Sequence, residues 1–359
     1  MRVGEIGEFG LIDRWMRSIR PDGRNAIVGI GDDAAVLEFP PGRVLVATCD
    51  MMVEGVHFIL PVISPEQLGI KAMAMNLSDL AAMNARPLYA LVSVGLKHDL
   101  EVEFVDRLYK GLTETALRHG CQIVGGDTVN SPLAFMVDVF LMGDAERGKT
   151  TLRSGARPGD LIMVTGTVGG SAAGLDLLLA ANARGAQPAG EVGTTNALAG
   201  ISHGAYSEVV TAHLEPRPRL PESRAISAAG GASAAIDISD GLANEVNHLA
   251  RLSGVEMVVD ASSIPLGDAT REVARAMGKD PLDYALFGGE DYELCFTVRP
   301  ELVEKVMRSV RDETGTPVSV IGRVFEGRGA WIIRNGRRET LGARAYDHFR
   351  STTGPRGEG

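Results

Sequence analysis

The chain has 359 residues, 45% hydrophobic and 23% charged, which is typical of a soluble globular protein with two domains. The formal net charge of −10 argues against an extended nucleic-acid or anionic membrane surface as the main partner, but allows anionic nucleotides to bind with metal ions. The three scattered cysteines show no zinc spacing, and no signal segment or membrane-spanning run is expected. The sequence therefore predicts a cytoplasmic protein that binds neither nucleic acid nor membrane.

The N-terminal half alternates predicted helices and strands. Hydrophobic spacing predicts an amphipathic helix over residues 1–20. A serine, a proline and a glutamine at 64, 65 and 67 form the start signal of a helix that runs to about Asn84. The remaining expected elements are strands at 44–49, 89–96, 122–124 and 134–142 and a helix at about 101–118.

Acidic residues stand beside or within these predicted elements. Asp32 and Asp33 precede the first strand and Asp50 follows it, and carboxylates at both ends of a buried strand repel each other unless a cation lies between them. Alternatively, these residues are turn formers. Asp79 falls inside a helix expected to be buried, which favours a functional role, and Asp127 follows two glycines at an expected strand end.

Two motif matches are interpreted as coincidental. Residues 143–150, Gly-Asp-Ala-Glu-Arg-Gly-Lys-Thr, fit the P-loop pattern, but the glycine- and proline-containing stretch that follows cannot continue a helix. Gly29-x-Gly31-x-x-Ala34 fits a loose dinucleotide fingerprint, yet no long helix follows and its acids would face a pyrophosphate.

A turn-rich stretch near 145–160 is the expected domain boundary, so the predicted domains are 1–148 and 149–350, with a disordered tail at 351–359. The second half is expected to contain strands at 161–165, 294–298, 318–324 and 330–334, and helices at 171–183, 242–253 and 301–313, with a mobile insertion at 184–207. Asp237, Ser239 and Asp240 stand at a strand-to-helix junction, where one of them could instead cap the helix. Residues 287–294 form a second turn rich in glycine and acids.

This distribution of acids suggests metal-assisted phosphate chemistry. Dispersed carboxylates without nitrogen or sulfur ligands select a hard cation, Mg²⁺ or Mn²⁺, and magnesium with dispersed aspartates usually serves phosphate transfer. No general base is evident, which favours an acceptor that is already a phosphate. Two anionic reactants then need several metal ions and an arginine, for which Arg153 is a candidate.

Taken together, these motifs resemble those of thiamine-monophosphate kinase over nearly the whole chain. The segments that carry the resemblance are Gly7-Glu8-Phe9-Gly10-Leu11-Ile12, Gly31-Asp32-Asp33-Ala34, Asp50 with Gly55-Val56-His57-Phe58, Asn76-Leu77-Ser78-Asp79-Leu80-Ala81-Ala82-Met83, Gly125-Gly126-Asp127-Thr128, Arg153-Ser154-Gly155-Ala156, Asp237-Ile238-Ser239-Asp240-Gly241-Leu242, Gly288-Gly289-Glu290-Asp291-Tyr292-Glu293-Leu294 and Tyr346-Asp347-His348-Phe349.

The resemblance implies a fold, a reaction and ligands. It implies a two-domain α+β, synthetase-like fold. The N-terminal α/β sandwich domain would bind ATP and Mg²⁺ and form a homodimer through its sheet, and the C-terminal α/β domain would complete the active-site cleft. The γ-phosphate of ATP would pass directly to thiamine monophosphate, giving thiamine diphosphate.

The same resemblance assigns roles to individual positions. Metal contacts are implied for Asp32, Thr48, Cys49, Asp50, Asp79, Asp127, Asp237 and Asp240. ATP contacts are implied for Tyr109, Gly126, Asp127, Arg153 and Ser239, and substrate contacts for His57 and Glu290.

Two positions depart from the family pattern. Cys49 replaces a usual hydroxyl residue, which is harmless if the family contact is made by the backbone carbonyl. Ala343 stands where the family has an aromatic residue that can pack on the substrate ring.

Two alternatives to this function stay open. One is another ATP-dependent enzyme of the superfamily, which also holds aminoimidazole ribonucleotide synthetase, selenophosphate synthetase and the hydrogenase maturation dehydratase. Selenophosphate synthetase would need a reactive Cys or selenocysteine in a glycine-rich N-terminal segment, and the dehydratase a C-terminal Cys; this chain has neither. The other alternative is a catalytically silent nucleotide-binding protein, which would predict loss of the acidic set, yet every aspartate of that set is present.

Overall fold

The computed structural model describes residues 2, 5, 14, 26–28, 36, 37, 39–183 and 200–342. Several predictions fall outside these residues: the helix over 1–20 apart from three positions, the segment 29–34 with Asp32 and Asp33, most of the insertion at 184–207, and the C-terminal segment with Ala343.

The chain divides into two compact units that are discontinuous in sequence. The N-terminal unit comprises Met1–Thr151, Asp176–Ala199 and Leu214–Arg224, and the C-terminal unit comprises Leu152–Leu175, Gly200–His213 and Ala225–Gly359. The domain boundary expected after residue 148 stays a prediction.

The N-terminal unit is built on a four-stranded sheet with helices packed on one face. Its elements in chain order are β1 (Ala26–Val28), β2 (Val36–Leu37), β3 (Arg43–Val53), α1 (Pro65–Ala82), β4 (Arg86–Leu96), α2 (Val102–Arg118), β5 (Gln122–Asn130) and β6 (Met136–Glu146). The strand order is β3-β6-β4-β5, with only the β4–β5 pair parallel, while β1 and β2 form a separate antiparallel pair. Most of α1 is buried, as expected, and it packs against α2 and the sheet.

The start of α1 follows the sequence signal. Ser64 Oγ accepts a hydrogen bond from the Gln67 backbone N–H, and Gln67 Oε1 accepts one from the Ser64 N–H, at 3.3 and 3.2 Å. This reciprocal capping box satisfies two backbone donors that the first turn leaves without helical partners. The predicted helix start is confirmed.

Two aspartates that the sequence placed at strand ends lie inside strands. Asp50 belongs to β3, which continues to Val53, and Asp127 belongs to β5, which continues to Asn130. The predicted strands were too short because side chains alternate between two faces of a strand, so a run of hydrophobic residues can end before the strand does. Backbone pairing of β3 with β6, and of β5 with β4, continues through the polar residues.

The C-terminal unit contains a seven-stranded sheet. Its strands are β7 (Leu161–Thr165), β8 (Ala234–Asp237), β9 (Glu256–Asp260), β10 (Leu294–Val298), β11 (Val318–Phe325), β12 (Gly329–Arg334) and β13 (Arg337–Thr340). They lie in the order β13-β12-β9-β11-β7-β10-β8, antiparallel except for β9 with β12.

The helices of the second half of the chain complete the fold. They are α3 (Gly170–Ala183), α4 (His203–Leu214), α5 (Leu220–Ala228), α6 (Leu242–Ser253), α7 (Asp268–Met277), α8 (Pro281–Phe287) and α9 (Val303–Thr314). Helix α6 supplies Leu242, Val246 and Leu249 to the main core of the C-terminal unit.

Most elements expected in this half are confirmed, with α6 matching the predicted bounds. The expectation of an insertion over 184–207 is wrong at its end, because α4 begins at His203. The sequence analysis also missed α5, β9, α7, α8 and β13.

The P-loop lookalike does not open a helix. Its first four residues belong to strand β6, and no helix follows until α3 begins at Gly170. No helix in the part of the chain that the structure describes has the length and apolar character needed to cross a membrane.

Candidate active site

In the N-terminal unit, two predicted metal ligands meet between β3 and α1. Thr48 Oγ1 donates a hydrogen bond of 2.5 Å to Asp79 Oδ2. Asp50 lies two residues along β3 from Thr48 and therefore shares its face, together with the buried Met52. The half-buried carboxylate of Asp79 thus has a hydroxyl donor and a second acid on the facing strand.

Asp127 and Cys49 lie on the other face of this sheet. The register pairs Asp127 with Ser93, Ser93 with Asp138, and Asp138 with Met51, so all four side chains share one face. Cys49 Sγ donates to Asp138 Oδ1 at 3.2 Å on that face. Burial and the Asp138 carboxylate raise the pKa of the Cys49 thiol to about 11, so the thiol stays protonated at neutral pH. The N-terminal unit thus joins Thr48 to Asp79 but separates Asp127 from them.

Gly126 has a structural reason to be glycine. A Cβ at this position would lie 1.8 Å from the backbone carbonyl oxygen of Val92 on β4. The tight β4–β5 pairing therefore requires glycine here whether or not the residue also contacts a nucleotide.

His57 and Tyr109 also belong to the N-terminal unit. His57 Nδ1 accepts the Val53 backbone N–H at 3.0 Å, and the His57 N–H returns a bond to Val53 O. Nδ1 therefore carries no proton in this arrangement, which suits an orienting role better than that of a base acting through Nδ1. Tyr109 is buried on α2, and burial raises the pKa of its hydroxyl.

In the C-terminal unit, the predicted acids stand where β8 passes into α6. Asp237, the last residue of β8, is 2% exposed, while Asp240 is exposed three residues later. The N-cap position of α6 is occupied by Gly241, so neither Ser239 nor Asp240 is the N-cap residue of this helix. The alternative that these residues serve as a helix cap is therefore wrong, and the acids need another explanation.

Glu245 is a further acid of this site that the sequence analysis missed. Its side chain is 1% exposed, and Oε1 accepts the Asp240 backbone N–H at 3.0 Å. Its pKa is raised to about 8: burial is the main cause, the Asp237 and Asp240 carboxylates act in the same direction, and the Asp240 N–H and the Arg153 guanidinium oppose the rise. The effect of Arg153 places its positive charge near this acidic cluster. An acid in the first turn of α6 was visible in the sequence, but its burial was not.

Glu290 is hydrogen-bonded through its backbone to the turn between β8 and α6. Its backbone N–H donates to Ser239 O at 2.8 Å, and the Tyr292 N–H donates to Ile238 O at 2.9 Å. Glu290 and Tyr292 both adopt positive φ angles, 66° and 51°, which are uncommon for residues other than glycine. Backbone hydrogen bonds thus fix a strained loop so that Glu290 lies beside Ser239.

Each unit therefore carries carboxylate and hydroxyl oxygens of the kind that bind hard cations. Within the described residues of either unit, no three His, Cys, Asp or Glu side chains form a ready-made metal site. Such an oxygen-rich, nitrogen-poor arrangement is suited to phosphate chemistry assisted by divalent ions.

Two family models match the chain. The model described as AIR synthase related protein, N-terminal domain, matches residues 31–145, and the C-terminal domain model of the same family matches residues 157–333. The thiamine-monophosphate kinase of Aquifex aeolicus (strain VF5) is 37% identical over 332 residues, covering 92% of this chain and 96% of the relative. The chain belongs to the thiamine-monophosphate kinase family.

Solved structures of the family agree with this assignment and with the α+β, two-domain synthetase-like fold. The thiamine-monophosphate kinase of Stenotrophomonas maltophilia K279a has a TM-score of 0.77 at 34% identity, covering 92% of this chain and 97% of that one. AaThiL complexed with AMPPCP and TMP has a TM-score of 0.73 at 35% identity, covering 97% and 99% of the two chains. The likeness therefore extends over nearly the full length of this family member.

Proposed function

We propose that this protein phosphorylates thiamine monophosphate to thiamine diphosphate, using ATP as the phosphate donor. The observation that carries the proposal is the near full-length likeness to thiamine-monophosphate kinases, among them AaThiL complexed with AMPPCP and TMP. AMPPCP is an ATP analogue, so a relative complexed with both AMPPCP and TMP supports ATP as the second substrate here.

The reaction needs no general base. The phosphate of the acceptor has a second pKa of about 6, so at neutral pH it is largely ionised and can attack without losing a proton to the protein. The neutral Nδ1 of His57, occupied by the Val53 N–H, supports an orienting role for this residue. The protein's task is then to align two anions and stabilise their charge.

The donor set of the two units fits Mg²⁺. Thr48, Asp50 and Asp79 offer oxygens in one unit, and Asp237 and Asp240 offer carboxylates where β8 passes into α6 in the other. We propose that these five residues and Asp32 hold several Mg²⁺ ions, with Cys49 contributing its backbone carbonyl. Asp127, whose side chain lies on the opposite face of the sheet from Thr48 and Asp50, would make a separate metal contact. Bound Mg²⁺ would neutralise charge on the phosphates.

The other predicted residues take binding roles in this proposal. Tyr109, Gly126, Asp127, Arg153 and Ser239 would contact ATP, and the exposed Arg153 is free to approach a phosphate. His57 and Glu290 would contact thiamine monophosphate. The predicted domains 1–148 and 149–350 would each supply part of the machinery, so activity should require acids from both.

The protein also presents a surface suited to a homodimer. The face of the N-terminal sheet opposite α1 exposes Leu45, Met51, Val129 and Phe140, between 37% and 56% of each residue. We propose that a second copy covers this face, as the family resemblance implies, because large apolar side chains grouped on one sheet face usually mark an interaction site.

A cytoplasmic location completes the proposal. The three cysteines are all free thiols, two of them buried, and none is placed in a disulfide. Unpaired thiols and an ATP-dependent reaction both suit a reducing cytoplasm.

The decisive test is to incubate the purified protein with ATP, Mg²⁺ and thiamine monophosphate and to measure thiamine diphosphate and ADP. We expect both products in equal amounts. ADP formed without thiamine diphosphate, or phosphorylation of a different small acceptor only, would contradict the named function and favour another enzyme of the superfamily. Nucleotide binding without any turnover would instead support a catalytically silent protein.

A further inference from the structure

A chain of polar contacts runs from the start of α3 to Glu290 within the C-terminal unit. Asp291 accepts the backbone N–H groups of Gly169 and Ser171 at 2.7 and 3.2 Å. Ser171 Oγ lies 3.0 Å from His213 Nδ1, and the same Nδ1 lies 3.4 Å from Glu290 Oε2. We call the residues Ser171, His213, Glu290 and Asp291 the His213 network.

Helix packing explains how His213 reaches this position. A Cβ at Gly174 on α3 would lie 2.1 Å from Val209 O on α4, so glycine lets the two helices approach closely. Ser171 stands one turn before Gly174, and His213 one turn after Val209. The close crossing therefore brings the imidazole over the first turn of α3.

Burial distinguishes the inner part of the network from its outer end. Ser171 is fully buried, and the side chains of His213 and Glu290 are 7% and 27% exposed. The carboxylate of Glu290 thus extends from a buried histidine towards solvent, where it can meet a ligand. A buried imidazole this close to a carboxylate restricts the directions in which the carboxylate can point.

The charge around Glu290 indicates which kind of ligand group its carboxylate would bind. Glu290 shares its loop with Asp291 and Glu293. Burial raises the pKa of Asp291, and repulsion from Glu293 and Glu290 adds to that rise. Three carboxylates in four residues make a local negative potential that a positively charged group would relieve. His213 stabilises the Glu290 carboxylate when Nδ1 carries the proton, because an ionised carboxylate only accepts hydrogen bonds.

We propose that His213 is a positioning residue that aims the Glu290 carboxylate at the positively charged ring of the acceptor. This inference rests on the proposed function, since thiamine monophosphate carries a cationic thiazolium ring. His213 touches neither reactant in this proposal and acts through Glu290. It sets how well the enzyme binds an acceptor with a cationic ring and leaves ATP binding unaffected.

The test compares His213→Leu with His213→Asn and His213→Gln. Leucine removes both ring nitrogens, asparagine restores an N–H donor close to the place of Nδ1, and glutamine extends a donor towards the place of Nε2. We expect His213→Leu to raise KM for thiamine monophosphate about tenfold, which corresponds to about 1.4 kcal/mol, and to leave KM for ATP within about twofold. His213→Asn should recover most of this loss and His213→Gln little of it.

The matched control is His203→Leu, an exposed histidine at the start of the same helix, which should change neither KM. A double-mutant cycle then asks whether His213 acts through Glu290. We expect Glu290→Gln combined with His213→Leu to be no worse than Glu290→Gln alone, because the residue being aimed has already lost its charge.

The outcomes separate this proposal from the function on which it rests. If the wild-type protein makes thiamine diphosphate but the two substitutions are additive, or both KM values rise together, the positioning role is wrong and the proposed function stands. If His213→Leu fails to fold, the Asn and Gln variants carry the comparison, and equal KM values for both would contradict the role of Nδ1. If the wild-type protein does not phosphorylate thiamine monophosphate, both proposals fall.

Discussion

Among single residues, Asp50 offers the most direct test of the metal proposal. Asp50→Asn removes a charge at nearly constant shape beside Thr48 and Asp79. We expect kcat/KM to fall roughly a hundredfold or more, since charge stabilisation by a metal is worth several kcal/mol. Steady-state assays over a range of Mg²⁺ concentrations, with circular dichroism to confirm folding, measure this effect.

The control for Asp50→Asn is Asp99→Asn, an exposed acid of the same unit that has no part in the proposed site. It should retain normal activity and normal Mg²⁺ dependence. Excess chelator should abolish wild-type activity, and added Mg²⁺ should restore it. Full activity in the chelator would rule out the metal-cluster proposal.

Lys149 and Arg153 distinguish the P-loop interpretation from the family interpretation. Lys149 is exposed and pairs with Glu146 at 2.6 Å, in a segment that opens no helix, whereas the charge of Arg153 lowers the pKa of Glu245 beside Asp240. We expect Lys149→Ala to change kcat/KM for ATP by less than about tenfold, or about 1.4 kcal/mol. Arg153→Ala should lower kcat/KM for ATP far more, because it raises KM for ATP. The reverse order would show that the P-loop match had been dismissed in error.

At the scale of one element, the start of α3 should make stability depend on pH. Burial raises the pKa of Asp291 from 3.8 to about 7, with Glu293 and Glu290 adding repulsion and the N–H groups of Gly169 and Ser171 opposing it. Between these two values the folded state binds more protons than the unfolded state, so the contribution of Asp291 to stability is complete below about pH 4 and is lost as the pH rises through about 7.

The measurement compares melting temperatures of the wild type and Asp291→Asn between pH 4 and pH 8. The stability of the wild type relative to the variant should fall as the pH rises, by at most about 4 kcal/mol, since one pKa unit corresponds to about 1.4 kcal/mol. Because asparagine does not titrate, its curve serves as the reference for all other groups. Parallel curves would mean that Asp291 has an ordinary pKa in the folded protein.

At the scale of the whole molecule, the exposed sheet face predicts the state of association. The chain has a mass of 38.0 kDa, and we expect a species of twice that mass in sedimentation equilibrium. Substituting Met51 and Phe140 together by aspartate should yield monomers, because burying two uncompensated charges against apolar side chains costs several kcal/mol. Leu252→Asp, at an exposed leucine of the C-terminal unit, should leave the association unchanged. A monomeric wild type would contradict the dimer.

The sequence alone determined the features that depend on neighbours along the chain. The capping box at Ser64 and Gln67 fixed the start of α1, and the hydrophobic spacing predicted α2 and α6 closely, because these signals act within a few residues. The acidic motifs carried the resemblance to the family before any element was placed. They did so because their order along the chain is specific even where their local structure is ambiguous.

Tertiary structure alone decided which of these residues meet. Alternation along β3 is enough to place Asp50 on the same face as Thr48, the face that packs against α1. The placement of Asp127 on the opposite face depends on how the strands pair in the sheet, which the sequence does not reveal. The burial of Glu245 and the contact of His213 with Glu290 depend on packing between elements far apart in sequence. Residue spacing fixes the face of an element on which a side chain stands, whereas long-range packing fixes what lies opposite that face, and the chemistry of a buried charge depends on both.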